Sequence, residues 1–173
     1  MISIGQSVYK DIDRVRKAME YANRVFPSKW KKALDDAGDI AQKYFGRQFA
    51  TEGSEFGTKW QDLAPSTQKD RKRKGYKPAH PILVRRGWLR ASVVKKTSAN
   101  HKREVTIGGI KMMSTLKTKS GLNLLMLHQD GGTKLPARKI YGEKWISEAG
   151  WSEIKTRFMG MFLEIRIGME GRR

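Results

Sequence analysis

The tripeptide His128-Gln-Asp130 is the part of this sequence that most resembles a reactive site, because an imidazole beside a carboxylate can move protons. However, no serine, cysteine or second carboxylate lies at helical or strand spacing from it. The other histidines, His80 and His101, are far away in the sequence, which argues against a zinc site. We therefore expect no catalytic residue, no cofactor and no metal. We expect His128 to be structural and to hold its loop through a hydrogen bond.

The composition limits the class of protein. A chain of 173 residues without cysteine is expected to be one domain (1–173) with neither disulfides nor thiolate metal sites, which suits a reducing cytoplasm. The first ten residues lack the apolar segment of a signal peptide. No apolar run is long enough to span a bilayer, so we expect no membrane partner.

The charge is large and unevenly distributed. The net charge is +19, and residues 81–120 contribute ten basic side chains against the single acid Glu104. A concentrated positive field favours anionic partners. The sequence therefore predicts contact with an anionic surface, through seven side chains of this segment: Arg85, Arg86, Arg90, Lys95, Lys96, Lys102 and Arg103.

Helices are predicted at both ends of the chain. Apolar residues at three- and four-residue spacing predict a helix over 7–26, which Pro27 should end because proline lacks the N–H that a helix needs. A second helix is predicted to begin at once, with Ser28 as its N-cap, completing a helical N-terminal part over 1–50. The same spacing predicts a last helix over 151–167.

The middle of the chain has a different pattern. Residues 51–81 lack periodicity and are expected to form an extended connector. A β-hairpin is predicted over 82–110, with Leu89–Lys96 as its first strand, a turn near Asn100 and a return over Glu104–Ile110.

The rest of the predicted β-sheet region, which spans 82–142, is less regular. Residues 111–121 are expected to be a flexible excursion. The apolar run 122–127 fits a helix or a strand equally well. A short edge strand is predicted over 137–141 after Pro136.

Three motifs stand out, and the first is Trp60-Gln-Asp-Leu-Ala-Pro-Ser-Thr67. Trp60 and Leu63 are suited to anchor the connector in the core, with Pro65 fixing the turn between them and the next segment. The alternative is that Trp60 is an ordinary core aromatic. Both interpretations give it a structural role.

The second motif is Pro81-Ile-Leu-Val-Arg-Arg-Gly-Trp-Leu-Arg-Ala-Ser92. Gly87 suits a bend, because glycine tolerates backbone angles that other residues avoid. Arg90 either pairs with a carboxylate inside the fold or faces a partner, and the sequence leaves this open.

The third motif is Leu127-His-Gln-Asp-Gly-Gly132 followed by Leu135-Pro-Ala-Arg138. Gly131 permits a positive φ, and Pro136 and Arg138 are expected to start a strand.

The order and type of these motifs resemble the virion morphogenesis, or tail completion, family of tailed phages. The resemblance covers roughly residues 45–165. The family's second motif is matched at Gly87, Leu89, Arg90 and Ser92, and its His-Gln-x-Gly and Pro-Ala-Arg elements are matched in the third. The chain departs from the family at Arg86, where a small hydroxyl residue is common, and at Lys139, where proline is common.

The resemblance implies an α+β fold, with N-terminal helices and a C-terminal helix packed on a small antiparallel β-sheet. It also implies a structural virion protein that forms a ring, expected to be a hexamer, at the head-proximal end of the tail. It would act as tail terminator or neck adaptor, contacting the tail tube and the head-tail connector. The basic segment 81–120 would then face either lumenal DNA or an acidic neighbouring ring. It would assemble in the host cytoplasm.

The alternative is a free basic nucleic-acid-binding protein. The net charge of +19 supports it, as does the position of Trp88 between Arg86 and Arg90. Against it, the sequence has no helix-turn-helix, zinc-finger or RNA-recognition signature.

Overall fold

A computed structural model describes residues 4–57, 59–132, 135–141 and 146–171, with side chains from residue 13 onward. In chain order, the elements are α1 (Ile4–Ala50), a short 3-10 turn (Ser54–Phe56), α2 (Pro65–Arg73), α3 (Trp88–Val94), β1 (His101–Thr106), β2 (Gly109–Ser114), α4 (Leu124–Asp130) and α5 (Glu148–Glu170). The helices pack on a two-stranded antiparallel sheet. The predicted α+β class is therefore confirmed.

The N-terminal part is one helix, so the prediction that Pro27 separates two helices is wrong. Pro27 lies inside α1, on its solvent-exposed side. Ser28 is not an N-cap, because its hydroxyl donates to the carbonyl of Val25 at 2.9 Å. The helix continues because apolar side chains on both sides of the proline pack against α5.

Two apolar clusters lie along α1. The larger one joins the second half of α1 to the 3-10 turn, α3 and the start of α5, with Phe49, Ile82 and Ile140 almost fully buried. The smaller cluster lies between the first half of α1 and the end of α5, around Ala33, Met161 and Ile165. In the smaller cluster the ring of Trp30 packs edge-on against Phe158, with 5.0 Å between their centroids. The long helix therefore has a separate core for each half.

The predicted strand Leu89–Lys96 is wrong, because this segment is the helix α3. Leu89, Ser92 and Val93 are its buried residues, and their spacing places them on one helical face. The real hairpin is β1–β2, with His101 opposite Ser114 and Thr106 opposite Gly109. Its turn lies at residues 107–108 and not at Asn100.

The segment after the hairpin is more ordered than the sequence suggests. Residues 111–114 lie in β2, so a flexible excursion is the wrong description for them. Residues 115–121 lead into a turn in which the Thr118 N–H donates to the Leu122 carbonyl at 2.8 Å. Most of the run 122–127 lies in α4, which begins at Leu124. The Asn123 side chain caps the first turn of this helix by accepting from two backbone N–H groups.

The C-terminal part follows its prediction more closely. The last helix was predicted over 151–167 and is observed as α5 (Glu148–Glu170), with the Ser147 hydroxyl accepting from the Gly150 N–H. By contrast, the edge strand predicted over 137–141 is absent, because the backbone N–H of Ile140 is bound by the Gln129 side chain. No helix in the described ranges is both long and apolar enough to cross a membrane.

Candidate functional site

The three sequence motifs meet around one groove. It has a volume of about 700 Å³ and is open on one side. The first motif contributes Leu63, the second contributes Gly87 and Leu89, and the third contributes His128 and Arg138. Segments far apart in the sequence therefore build one continuous surface.

Trp60 anchors the first motif in the core. Its side chain is 4% exposed and packs edge-on against Phe49, with ring centroids 5.6 Å apart. The indole N–H donates to the Lys139 carbonyl at 2.9 Å, which ties the first motif to the third. Leu63 is half-buried, and Pro65 begins α2, where its missing N–H costs nothing.

Arg138 connects the first and third motifs. Its guanidinium is buried and donates to the carbonyl of Gln61 at 3.0 Å and to that of Asp62 at 3.3 Å. Its own backbone N–H donates to the His128 carbonyl at 2.6 Å. Burial and the nearby charge of Arg71 lower the pKa of Arg138. The side chain therefore clamps loop backbone and has no carboxylate partner within the described ranges.

Arg71 is a second buried arginine, and sequence reasoning missed it. It lies in a run of charged residues, so nothing in the sequence distinguishes it from its solvated neighbours. In the structure it is buried and donates to the Pro81 carbonyl at 3.1 Å. Burial and the charge of Arg85 lower its pKa.

His128 does not make the side-chain hydrogen bond that was expected for it. Its Nδ1 atom is buried and has no partner among the described residues. Burial, assisted by the charge of Arg138, lowers the pKa of His128 to about 4, so the ring is neutral at pH 7. The neighbouring Gln129 holds the loop instead, accepting from the Ile140 N–H at 2.9 Å and donating to the Tyr141 carbonyl at 2.9 Å.

Glycine and serine positions of the motifs have definite roles in the backbone. Gly87 has φ +75° and precedes α3, and Gly131 has φ +73° at the end of α4. Ser92 is fully buried, and its hydroxyl bonds to the Leu89 carbonyl and to the Ser114 hydroxyl, each at 2.8 Å. Pro136 is half-buried in the wall of the groove.

The predicted anionic-surface residues separate into two groups. Five of them are exposed, and no ion pair is present for them among the described side chains: Arg85, Arg86, Arg90, Lys95 and Lys102. Arg85 lies over the ring of Tyr76, and Arg86 lies 5.1 Å from the ring centroid of Trp88. Arg90 is exposed and pairs with no carboxylate among the described side chains. Of the two alternatives for Arg90, an ion pair inside the fold or an outward-facing position, the structure has the second.

Arg103 and Lys96 are bound within the fold. The Arg103 side chain is only 5% exposed and pairs with Asp35 at 2.7 Å and with Asp39 at 2.6 Å, so its inclusion in an exposed surface is wrong. Lys96 is half-exposed but pairs with Asp35 at 2.6 Å. Hydrogen bonds from both cations lower the pKa of Asp35. The physical reason is that β1 lies against the acidic flank of α1.

Comparisons with family models, with curated proteins and with solved structures give no match for this chain. Within the described ranges, no group of three or more His, Cys, Asp or Glu side chains is placed to hold a metal ion. The site offers apolar side chains beside arginines in a concave surface, an arrangement suited to binding.

Proposed function

We propose that this chain is a structural virion protein of a tailed phage, which forms a ring at the head-proximal end of the tail and joins the tail to the head. One observation carries the proposal. The three motifs that resemble the tail completion family lie far apart in the sequence, yet all three line one groove, and hydrogen bonds of Trp60 and Arg138 join the first motif to the third. A family signature should converge in this way, whereas unrelated short matches have no reason to do so.

An unpartnered apolar face on α5 supports self-assembly. Met159, Leu163 and Ile167 recur every four residues and point away from α1, and their exposed fractions are 68%, 53% and 58%. The opposite face of α5 already packs in the core through Ile154 and Ile165. A closed ring requires one face of each subunit to fit a different face of its neighbour, and such contacts are rich in large apolar side chains.

The ring is tested by imaging and by mass. We expect negative-stain images of the purified protein to show discrete rings, and mass photometry to give a hexamer. Leu163→Asp should reduce the protein to monomers without unfolding it, because this side chain is already half-exposed. Lys119→Asp, at an exposed position outside α5, is the control and should leave the rings intact. A monomeric wild type at every concentration would contradict self-assembly.

A second experiment tests whether the protein acts where the tail joins the head. In a phage whose own copy of this gene is deleted, the wild-type chain should restore filled heads with attached tails. Leu163→Asp should leave heads and tails separate. Normal joining by that variant would mean that the α5 face has no part in the ring.

A free nucleic-acid-binding protein is the second candidate, and the net charge of +19 favours it. Its exposed cations would contact phosphates, so the logarithm of affinity should fall by about one unit per logarithm of salt for each phosphate neutralised. Replacing Arg86, Lys95 and Lys102 with Glu should then abolish DNA binding by the purified protein. Rings that form without nucleic acid and bind DNA equally well after this replacement would argue against the candidate.

A further inference from the structure

The groove contains more positive charge than its own chain neutralises. Its lining includes the five basic residues Arg71, Arg85, Arg86, Lys117 and Arg138 but only one acid, Asp62. Two of these cations are buried in the wall, since Arg71 is 5% exposed and Arg138 is 3% exposed. Among the described residues both donate only to backbone carbonyls. Glu52 offsets part of the charge of Arg71, but no acid among the described residues offsets that of Arg138, and burying an unpaired charge is costly, so an anion in the groove would be stabilised.

The floor of the same groove is apolar. Among the described residues, six leucines line it: Leu63, Leu83, Leu89, Leu116, Leu124 and Leu135. Trp88 lies at the rim with 59% of its surface exposed. The side chain of His128, which is neutral at pH 7, also lines the groove. An occupant must therefore combine an apolar group with negative charge.

We propose that this groove binds an acidic peptide segment of a partner protein, with an apolar side chain on the leucine floor and carboxylates facing Arg85 and Arg86. Charge complementarity supports this occupant. The groove is of the size that holds a few side chains, and Arg85 and Arg86 are exposed at its edge, where they can form charge-assisted hydrogen bonds with carboxylates.

Nucleic acid fits the groove less well. Single strands bind by stacking bases on free aromatic faces along a basic track. Among the described lining residues of this groove, Trp88 is the one Phe, Tyr or Trp, and the guanidinium of Arg86 already lies over its ring, so there is no series of free rings on which successive bases could stack. The apolar floor also offers nothing to a phosphate. The inference depends on the chemistry of the groove and holds whether or not the chain forms a ring.

The test begins with selection from a displayed library of short random peptides, using the wild-type protein and the Arg85→Glu, Arg86→Glu double variant. Both arginines are exposed, so the variant should fold, which circular dichroism can verify. We expect the peptides enriched by the wild type alone to carry net negative charge and a large apolar residue. Failure to enrich any peptide, or enrichment of neutral or basic peptides, would overturn the proposal.

Affinity measurements then test the site itself. A selected peptide, labelled with fluorescein and measured by anisotropy at about 150 mM salt, should bind the double variant at least about tenfold more weakly. The matched control is Lys102→Glu with Lys155→Glu, which changes the net charge equally but lies outside the groove and should bind normally. Equal losses in the two variants would show non-specific attraction.

Two further measurements separate the apolar and nucleic-acid contributions. Trp88→Ser removes apolar rim surface without changing charge, and it should also weaken binding of the selected peptide. Oligothymidylate should fail to displace that peptide at concentrations where the unlabelled peptide succeeds. Displacement by oligothymidylate, together with unchanged binding by Trp88→Ser, would identify the groove as a nucleic-acid site and reject the peptide.

Discussion

At the scale of single residues, Gly131 is a position where the backbone angles and the neighbouring atoms leave no room for a side chain. It has φ +73°, and a Cβ there would lie 2.6 Å from the Ala137 nitrogen. Gly131→Ala should therefore lower the free energy of unfolding by about 2–4 kcal/mol, measured by urea denaturation. Gly132→Ala is the control, because a Cβ there meets nothing within 4 Å. We expect it to change stability by less than about 0.5 kcal/mol.

His128 makes stability depend on pH. Its pKa is lowered from 6.5 to about 4 in the folded state, so between these values the unfolded chain binds the extra proton. Stability should be complete above pH 6.5 and should fall as the pH drops towards 4. With allowance for solvent around a partly exposed ring, the loss should be about 2 kcal/mol.

The measurement compares wild type with His128→Gln, whose amide does not titrate in this range. The variant should lose most of the decline between pH 6.5 and 4, while the decline caused by carboxylates below that range remains. Parallel stability profiles for the two proteins would show that the buried imidazole titrates normally.

At the scale of elements, Pro27 distinguishes a single long helix from two short ones. Within α1 it removes one backbone hydrogen bond, so Pro27→Ala should raise the free energy of unfolding by about 1–2 kcal/mol. Ser28→Ala should change it by less than about 0.5 kcal/mol, because Ser28 is not a cap. Two separate helices would give the opposite pattern, with a loss of about 1 kcal/mol at Ser28. Thermal and urea unfolding of both variants distinguish the two cases.

The sequence predicted helices with long apolar stripes better than it predicted short segments. Stripes on α1 and α5 span many turns, so periodicity alone identifies them. Leu89–Lys96 contains only about two turns' worth of residues and includes the adjacent residues Val93 and Val94, which favour strands. It is helical because Leu89 and Val93 both reach the main core from one helical face, and packing outweighs local preference.

The candidate site was predictable from the sequence only in part, because contacts between segments distant in the sequence leave no local pattern. The motifs identified Trp60 and Arg138, because an isolated tryptophan in a polar connector and a Pro-Ala-Arg element are visible in the sequence. They did not identify Arg71 or the pairing of Arg103 with Asp35, since both depend on which helical face or strand meets another element. Ionic partners distant in sequence leave no local pattern.

At the scale of the whole molecule, the two apolar clusters should open separately. Among the described side chains, three are buried in the smaller cluster and many more in the larger one, so the first half of α1 should exchange its amide hydrogens at a lower free energy than the second half. Ile165→Ala should reduce protection over 14–30 but leave 41–49 unchanged, by hydrogen exchange with mass spectrometry. Ile154→Ala, in the larger cluster, should reduce protection in both segments. Equal effects of the two variants would indicate one cooperative unit.

The length of α1 also affects how the molecule moves through solution. Its 47 residues extend about 70 Å, whereas a compact chain of 173 residues, with a radius of gyration of about 16 Å, is only about 40 Å across. Such an elongated particle diffuses more slowly than a sphere of equal mass. It should therefore leave a gel-filtration column early, and a single subunit should elute as an apparently larger globular protein. Elution volume alone would thus overstate the number of subunits, and the frictional ratio from sedimentation velocity provides the correction.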